Sequence, residues 1–218
     1  MNRVLNLLSA GGLALMTASS SHAGIFATDL QGGWGDSGRT ATIGTPFAVG
    51  SSAVSITSLG FFDQTGAGLS TEHYVGIYDS SQQLLGSVLV PSGTEADPHS
   101  YHDGTRWMTL STPIALAANT DYMLAFTTTA TGDKANVASP GQVTIASPLA
   151  LSGGGYTFTL GSSLAYPTVD LHYGLYAFGA NMEVTAIPEP SPLAATVMVL
   201  LVVVGCDFCR RYRLNRAE

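Results

Sequence analysis

The feature that most limits how this 218-residue chain can fold is the spacing of its apolar runs. Between residues 24 and 187 they are strand-sized, and Gly, Ser, Asp, Asn or Pro interrupts the chain between them: TPFAV, AVSITSLGFF, HYVGIYD, LLGSVLV, RWMTL, DYMLAFTT, QVTIA, YTFTL and LYAFGANMEV. β-Branched and aromatic residues are enriched in these runs. Val54 and Ile56 alternate with polar neighbours, and Tyr122, Leu124 and Phe126 repeat with the same period of two. Regular short strands with turn signals between them read as an all-β domain, an antiparallel β-sandwich or barrel, over residues 24–187, and the sandwich is the expectation carried forward. The 3.6-residue period of an amphipathic helix is almost absent from this body, so helix is expected only at the two ends of the chain.

Charge narrows the partners. The body carries twelve carboxylates but only Arg39, Arg106 and Lys134 as basic side chains, an excess of nine negative charges. Binding nucleic acid requires a basic stripe that displaces counterions from phosphate, so no nucleic-acid partner is expected. Both cysteines, Cys206 and Cys209, lie in the last thirteen residues. The body must therefore be held by its core rather than by disulfides, and its length is sufficient for that.

The N-terminus has Arg3, an apolar run from Val4 to about Met16, a Ser/Thr segment, and small residues Ser21 and Ala23 around His22. This is the layout of a secretory signal peptide, residues 1–23, with cleavage expected after Ala23. At the other end, Pro188-Glu189-Pro190 and Pro192 precede an uncharged run, and then come Arg210, Arg211, Arg213 and Arg216. As a helix, residues 193–209 would span about 25 Å, just short of a hydrocarbon core of about 30 Å. The basic end, residues 210–218, would stay cytoplasmic and leave the body outside the inner membrane. The prolines make PEPSP extended and stiff, a shape that suits a protease cleft.

Pro188-Glu189-Pro190, a single apolar helix and the cluster Arg210, Arg211 and Arg213, in that order, resemble the PEP-CTERM sorting signal, here residues 188–218. The resemblance implies recognition by exosortase, a membrane-embedded cysteine protease often linked to exopolysaccharide production. Asp207 inside the span and LNRAE beyond the arginines depart from the pattern. Cys206 and Cys209 have no second pair or histidine near them and read as membrane-facing thiols.

A second resemblance rests on SITSLGFFDQTGAGLSTEHYVGIYDSSQQLLGSVLV followed by RWMTLSTPIALAANTDYMLAFTT, Ser55 to about Thr129. This stretch is similar to jelly-roll-like domains of unknown function in bacterial surface proteins. The likeness implies that Leu84 and Leu85 pack into the core and that Asn119-Thr120 turns the chain before a central strand.

Chemistry-bearing strings are few. GDSG at residues 35–38 brings hydrolase motifs to mind, but too little mature chain precedes Ser37 for one catalytic family, and Asp170-Leu171-His172 has the wrong spacing for another. A polar turn is the better reading, and no catalytic residue is assigned. Asp97, His99, His102 and Asp103 are all capable of binding a metal, but no regular element fixes their geometry, so a solvated loop is preferred. Asp63, Asp79 and Asp133 lack the Asp-x-Asp ladder of a calcium loop. No cofactor is expected. Among the aromatics, Trp34, Tyr101 and Tyr166 lie in Gly- or Pro-rich loops and are the candidates for stacking on a sugar.

The expected protein is exported and non-enzymatic. It is first tethered to the inner membrane, then processed by exosortase and released to the cell envelope, surface or extracellular matrix, with a structural, adhesive or glycan-binding role on exopolysaccharide. An extracellular polysaccharide hydrolase is the alternative, and it would need two carboxylates facing each other across a groove.

Overall fold

The computed structural model describes residues 23–35, 38–94, 101–130, 132–170 and 173–187. The expected signal peptide up to His22, the sorting tail from Pro188 onward, and Asp36, Ser37, Asp97, His99 and His172 lie outside the described residues.

Seventeen strands follow one another among the described residues. They are β1 (Ala23–Ile25), β2 (Ala27–Thr28), β3 (Gly33–Gly35), β4 (Ala41–Val49), β5 (Val54–Phe62), β6 (His73–Asp79), β7 (Leu84–Val90), β8 (Tyr101–His102) and β9 (Thr105–Leu116). The chain continues through β10 (Thr120–Thr128), β11 (Ala135–Ala138), β12 (Thr144–Ile145), β13 (Leu149–Leu151), β14 (Thr157–Leu160), β15 (Val169–Asp170), β16 (Tyr176–Phe178) and β17 (Ala180–Ala186). The described helical structure is a single 3₁₀ turn, Pro140–Gln142. All strand pairings are antiparallel, as expected.

The larger sheet has the order β15-β14-β4-β10-β6-β7, with β13 on the same edge of β4 as β14; the smaller has the order β1-β17-β5-β9-β8. Their facing sides make one core. Ile43, Phe47, Val75, Ile77, Leu124 and Phe126 come from the larger sheet, and Val54, Ile56, Leu59, Phe61, Leu116, Met182 and Val184 from the smaller. The Phe61 ring sits edge-on to Phe126 across the interface at 5.6 Å. Each such side chain contributes on the order of 1.5–3 kcal/mol by leaving water. The inward positions of β5 change parity between Ile56 and Leu59, and Thr57 is the residue that pairs with neither neighbour. This β-bulge keeps both halves of the strand facing the core.

The outer face of the larger sheet is also covered at its centre. Tyr78, Met123 and Ala125 point away from the main core, and Leu164 and Tyr166 pack over them. A three-stranded sheet, β16-β11-β3, and the pair β12-β2 complete the domain.

Register defines two ends. Ala186 pairs with Val54, Val54 with Leu116, Thr120 with Val49, and Ala23 with Thr185. Both ends of the described chain therefore leave from one pole, where Ile187 N–H donates to Ala53 O at 3.0 Å. The opposite pole holds the starts of β4, β6 and β9 and the end of β10.

Two readings that followed from the jelly-roll likeness separate here. Asn119 does turn the chain, with φ 54°, into β10, which lies between β4 and β6. Leu84 and Leu85, expected in the core, are instead 46 % and 40 % exposed. A register shift opposite Tyr78 takes Leu84 to the outer face beside Gly76, whose missing side chain leaves room for it.

Candidate functional site

The pole remote from the chain ends is organised by carboxylates. Asp63, directly after β5, is 3 % exposed and accepts from Arg106 Nε at 2.9 Å and Nη2 at 2.7 Å. Its other partners are loop donors: Thr65 N–H and hydroxyl, and the N–H groups of Gly66 and Gly68. Burial alone would raise the Asp63 pKa, but the Arg106 hydrogen bond, the Gly68 N–H and the guanidinium charge outweigh it, and the group is held below the ordinary value of 3.8.

Asp133 plays the same part for the neighbouring loop. Its carboxylate accepts from the N–H groups of Ser70 and Thr71, from the Ser70 hydroxyl, and from His73 Nε2 at 2.9 Å. Burial again pushes upward, and the His73 hydrogen bond followed by the loop N–H groups brings Asp133 below 3.8. His73 is fully buried, and its other nitrogen, Nδ1, lies 2.7 Å from Thr127 O. Both ring nitrogens thus have oxygen partners at short range, which ties the start of β6 to Asp133 and to the end of β10. The ring lies flat on Phe61, ring centroids 3.7 Å apart.

Beside Asp133 a cleft of about 370 Å³ opens between the β4–β14 side of the larger sheet and the three-stranded sheet. Ile43, Val137 and Ala177 line it with apolar surface, Tyr156 and Phe158 add aromatic rings, and Arg39, Thr128 and Asp133 contribute polar groups. The volume lies at the small end for ligand pockets, and a mostly apolar lining with a few polar groups is their usual chemistry. Gly35 also lines the cleft.

The residues expected to bind are placed as follows. Trp34 is half-buried on β3, packed against the core and edge-on to Phe62 at 6.0 Å. Tyr101 is 47 % exposed, but the Arg106 guanidinium lies 5.0 Å from its ring centroid. Tyr166 is half-buried against Tyr78 on the outer face of the larger sheet, so it does not join the other two. His102 Nδ1 meets Asp103 at 3.0 Å, its Nε2 lies 3.3 Å from Glu183, and the ring stacks on Trp107. Among the described residues no three metal-binding side chains converge on one point. Asp79 accepts from the N–H groups of Ser81 and Gln83, both at 2.9 Å, and so closes the β6–β7 turn. Tyr156 and Phe158 were passed over because YTFTL reads as an ordinary strand. That its end borders an uncovered part of the inner face becomes visible only once the sheets are assembled.

These observations define the class: an antiparallel all-β domain of sandwich form, with carboxylate-anchored loops and a cleft at one pole. A family model, Domain of unknown function (DUF4082), matches residues 27–177, more than two thirds of the chain, and the chain belongs to that family. The match runs from β2 into β16, so β1 and β17 of the smaller sheet lie beyond it. No curated protein matches the chain.

Proposed function

We propose that this is an exported surface or matrix protein of jelly-roll-like form that binds glycan through the cleft beside Asp133 without chemically altering it. The observation that carries the reading is the cleft's position. It opens at the pole opposite both ends of the described chain, so a domain held by a C-terminal membrane helix presents it away from the bilayer. Pro188-Glu189-Pro190, the apolar run and the arginines make the tail an exosortase substrate, and processing transfers the protein to the envelope or the exopolysaccharide layer. Inside the cleft, Tyr156 and Phe158 offer surface to the CH face of a pyranose, while Arg39 and Thr128 bring polar groups to its hydroxyls and Asp133 holds the loop that forms the wall.

The hydrolase alternative is less well supported. Asp133 is the one described carboxylate lining the cleft, its oxygens are taken up by loop donors and His73, and its lowered pKa is the wrong direction for a general acid. Retention on host exopolysaccharide is the test. Phe158→Ala and Tyr156→Ala are expected to lose most of it while the fold is kept, and Trp34→Ala, Tyr101→Ala and Tyr166→Ala to lose little. Unchanged retention in both cleft variants would remove glycan binding at this site, and release of reducing sugar by the wild-type protein would restore the hydrolase.

A further inference from the structure

Two rows of side chains that cross the larger sheet line the cleft, and both rows run on past it. Residues directly opposite each other in an antiparallel pair share a face. Ile43 lies opposite Phe158 and Phe158 opposite Val169, so these three form one row over β4, β14 and β15. Thr128 lies opposite Ala41 and Ala41 opposite Leu160, which makes a second row on the same face of β10, β4 and β14. Ile43, Phe158, Thr128 and Ala41 belong to the cleft lining. Val169 and Leu160 end the rows and are 46 % and 61 % exposed. The apolar lining therefore continues outward as an aliphatic apron.

The polar side chains of the cleft are few, and they offer little to a hydroxyl donor. Among the described lining residues, Arg39, Thr128, Asp133 and Tyr156 carry polar side-chain groups. Asp133 already receives Ser70, Thr71 and His73. The Thr128 hydroxyl is drawn to backbone oxygens, Arg39 O at 3.1 Å and Ala41 O at 3.3 Å. Arg39 has donors and no acceptor. An unsubstituted pyranose brings several hydroxyl donors into such a place, and each one that leaves water without an acceptor weakens binding. An acyl ester removes that donor, keeps a carbonyl oxygen that can accept, and adds a methyl group that aliphatic surface draws out of water. We propose that the glycan held here is O-acylated, with acyl methyls resting on Phe158, Leu160 and Val169 and with Arg39 donating to an ester carbonyl. A guanidinium has five N–H donors, so it can serve the ester alongside its contacts within the protein. This inference rests on the glycan reading of the cleft and specifies the substituent that the cleft selects.

The test takes the protein as its host makes it and measures its affinity for host exopolysaccharide in three states: as isolated, after mild alkaline removal of ester groups, and after chemical re-acetylation. Removing the esters is expected to weaken binding by at least roughly tenfold, the scale set by a hydroxyl left unpaired and a methyl group lost. Re-acetylation is expected to restore it. Leu160→Ser combined with Val169→Thr changes only exposed positions, so the circular dichroism spectrum should stay as it is. This double variant is expected to bind the native polymer severalfold more weakly and the de-esterified polymer as the parent does. Equal affinity of the parent for native and de-esterified polymer would overturn the acyl assignment while leaving glycan binding at the cleft intact. A double variant that binds the native polymer like the parent, or that loses equally on both polymers, would overturn it as well. Failure to bind the polymer in any of the three states would remove the glycan reading itself, and this inference with it.

Discussion

Removing the Arg106 guanidinium should be among the most damaging single changes in this domain. Arg106 and Asp63 side chains are 4 % and 3 % exposed, and Nη2 is 2.7 Å from the carboxylate. Arg106 also donates to Thr94 O at 3.2 Å and to Gly66 O at 3.3 Å, so it ties two loops to the start of β9. In Arg106→Met the chain stem is replaced, but Asp63 remains a buried carboxylate with only its loop donors. Breaking one side of a buried pair costs about 3–5 kcal/mol, a large part of the roughly 5–15 kcal/mol that holds a typical domain. For a domain of this size that corresponds to a fall in Tm of about 6–20 °C. Urea unfolding followed by circular dichroism would measure it. Asp63→Leu combined with Arg106→Met should lose less than the single change, because no charge is then stranded. The pH dependence has a definite sign. Asp63 has a depressed folded-state pKa, so its contribution is complete above the unfolded value near 3.8 and is lost as pH falls through the lower folded value. The acid limb should therefore flatten in Arg106→Met. A cost below about 1 kcal/mol would mean that the pair behaves as a solvent-screened surface contact, and the reasoning would fail.

Three further outcomes are expected. Asp133→Asn should cost about 2 kcal/mol by weakening the hydrogen bonds to the Ser70 and Thr71 N–H groups and the contact with buried His73, and an unchanged midpoint in urea unfolding would contradict it. Gly60→Ala should destabilise by about 1–3 kcal/mol, since an added Cβ would come 2.5 Å from the Arg106 carbonyl oxygen, which belongs to a paired backbone and cannot step aside; a neutral result in thermal unfolding would contradict the packing. Intact mass of the protein from its own host should begin at Gly24 and lack Arg210 to Arg216, and a product that keeps those arginines would show the tail to be a permanent anchor.

What the sequence made legible follows from the period of two. In Tyr122-Met123-Leu124-Ala125-Phe126 the aromatic and aliphatic residues of one parity enter the main core, and this alternation announces the strand without reference to any other part of the chain. Leu84 and Leu85 were misread because apolar identity signals burial only when the strand has a neighbour on that face, and the register shift beside Tyr78 depends on pairing that no local pattern records. The RWMTL run showed only part of β9, which continues to Leu116 through four residues, Leu110 to Pro113, that have no partner on β5. The cleft was invisible for the same reason. Gly35, Ile43, Asp133, Phe158 and Ala177 are brought together by sheet order, which is a long-range property.

The carboxylates explain how a domain whose body has no cysteine can keep long loops in place. From the sequence they look like a solvated acidic surface, yet Asp63 and Asp79 turn inward on their own loops and Asp133 on the neighbouring Ser70–Thr71 loop, each taking up several N–H groups. A backbone donor near the end of a sheet needs a partner, and an anion that accepts several at once fixes the loop's shape as a cross-link would. Two of these anions are met by buried side chains reached across the fold, Arg106 for Asp63 and His73 for Asp133. The scarcity of basic residues then has a structural meaning. Arg106, one of only three Lys or Arg in the body, is committed to the interior. The same arrangement makes the cleft wall rigid on the Asp133 side, because moving that carboxylate would strand His73 and release Ser70 and Thr71 together.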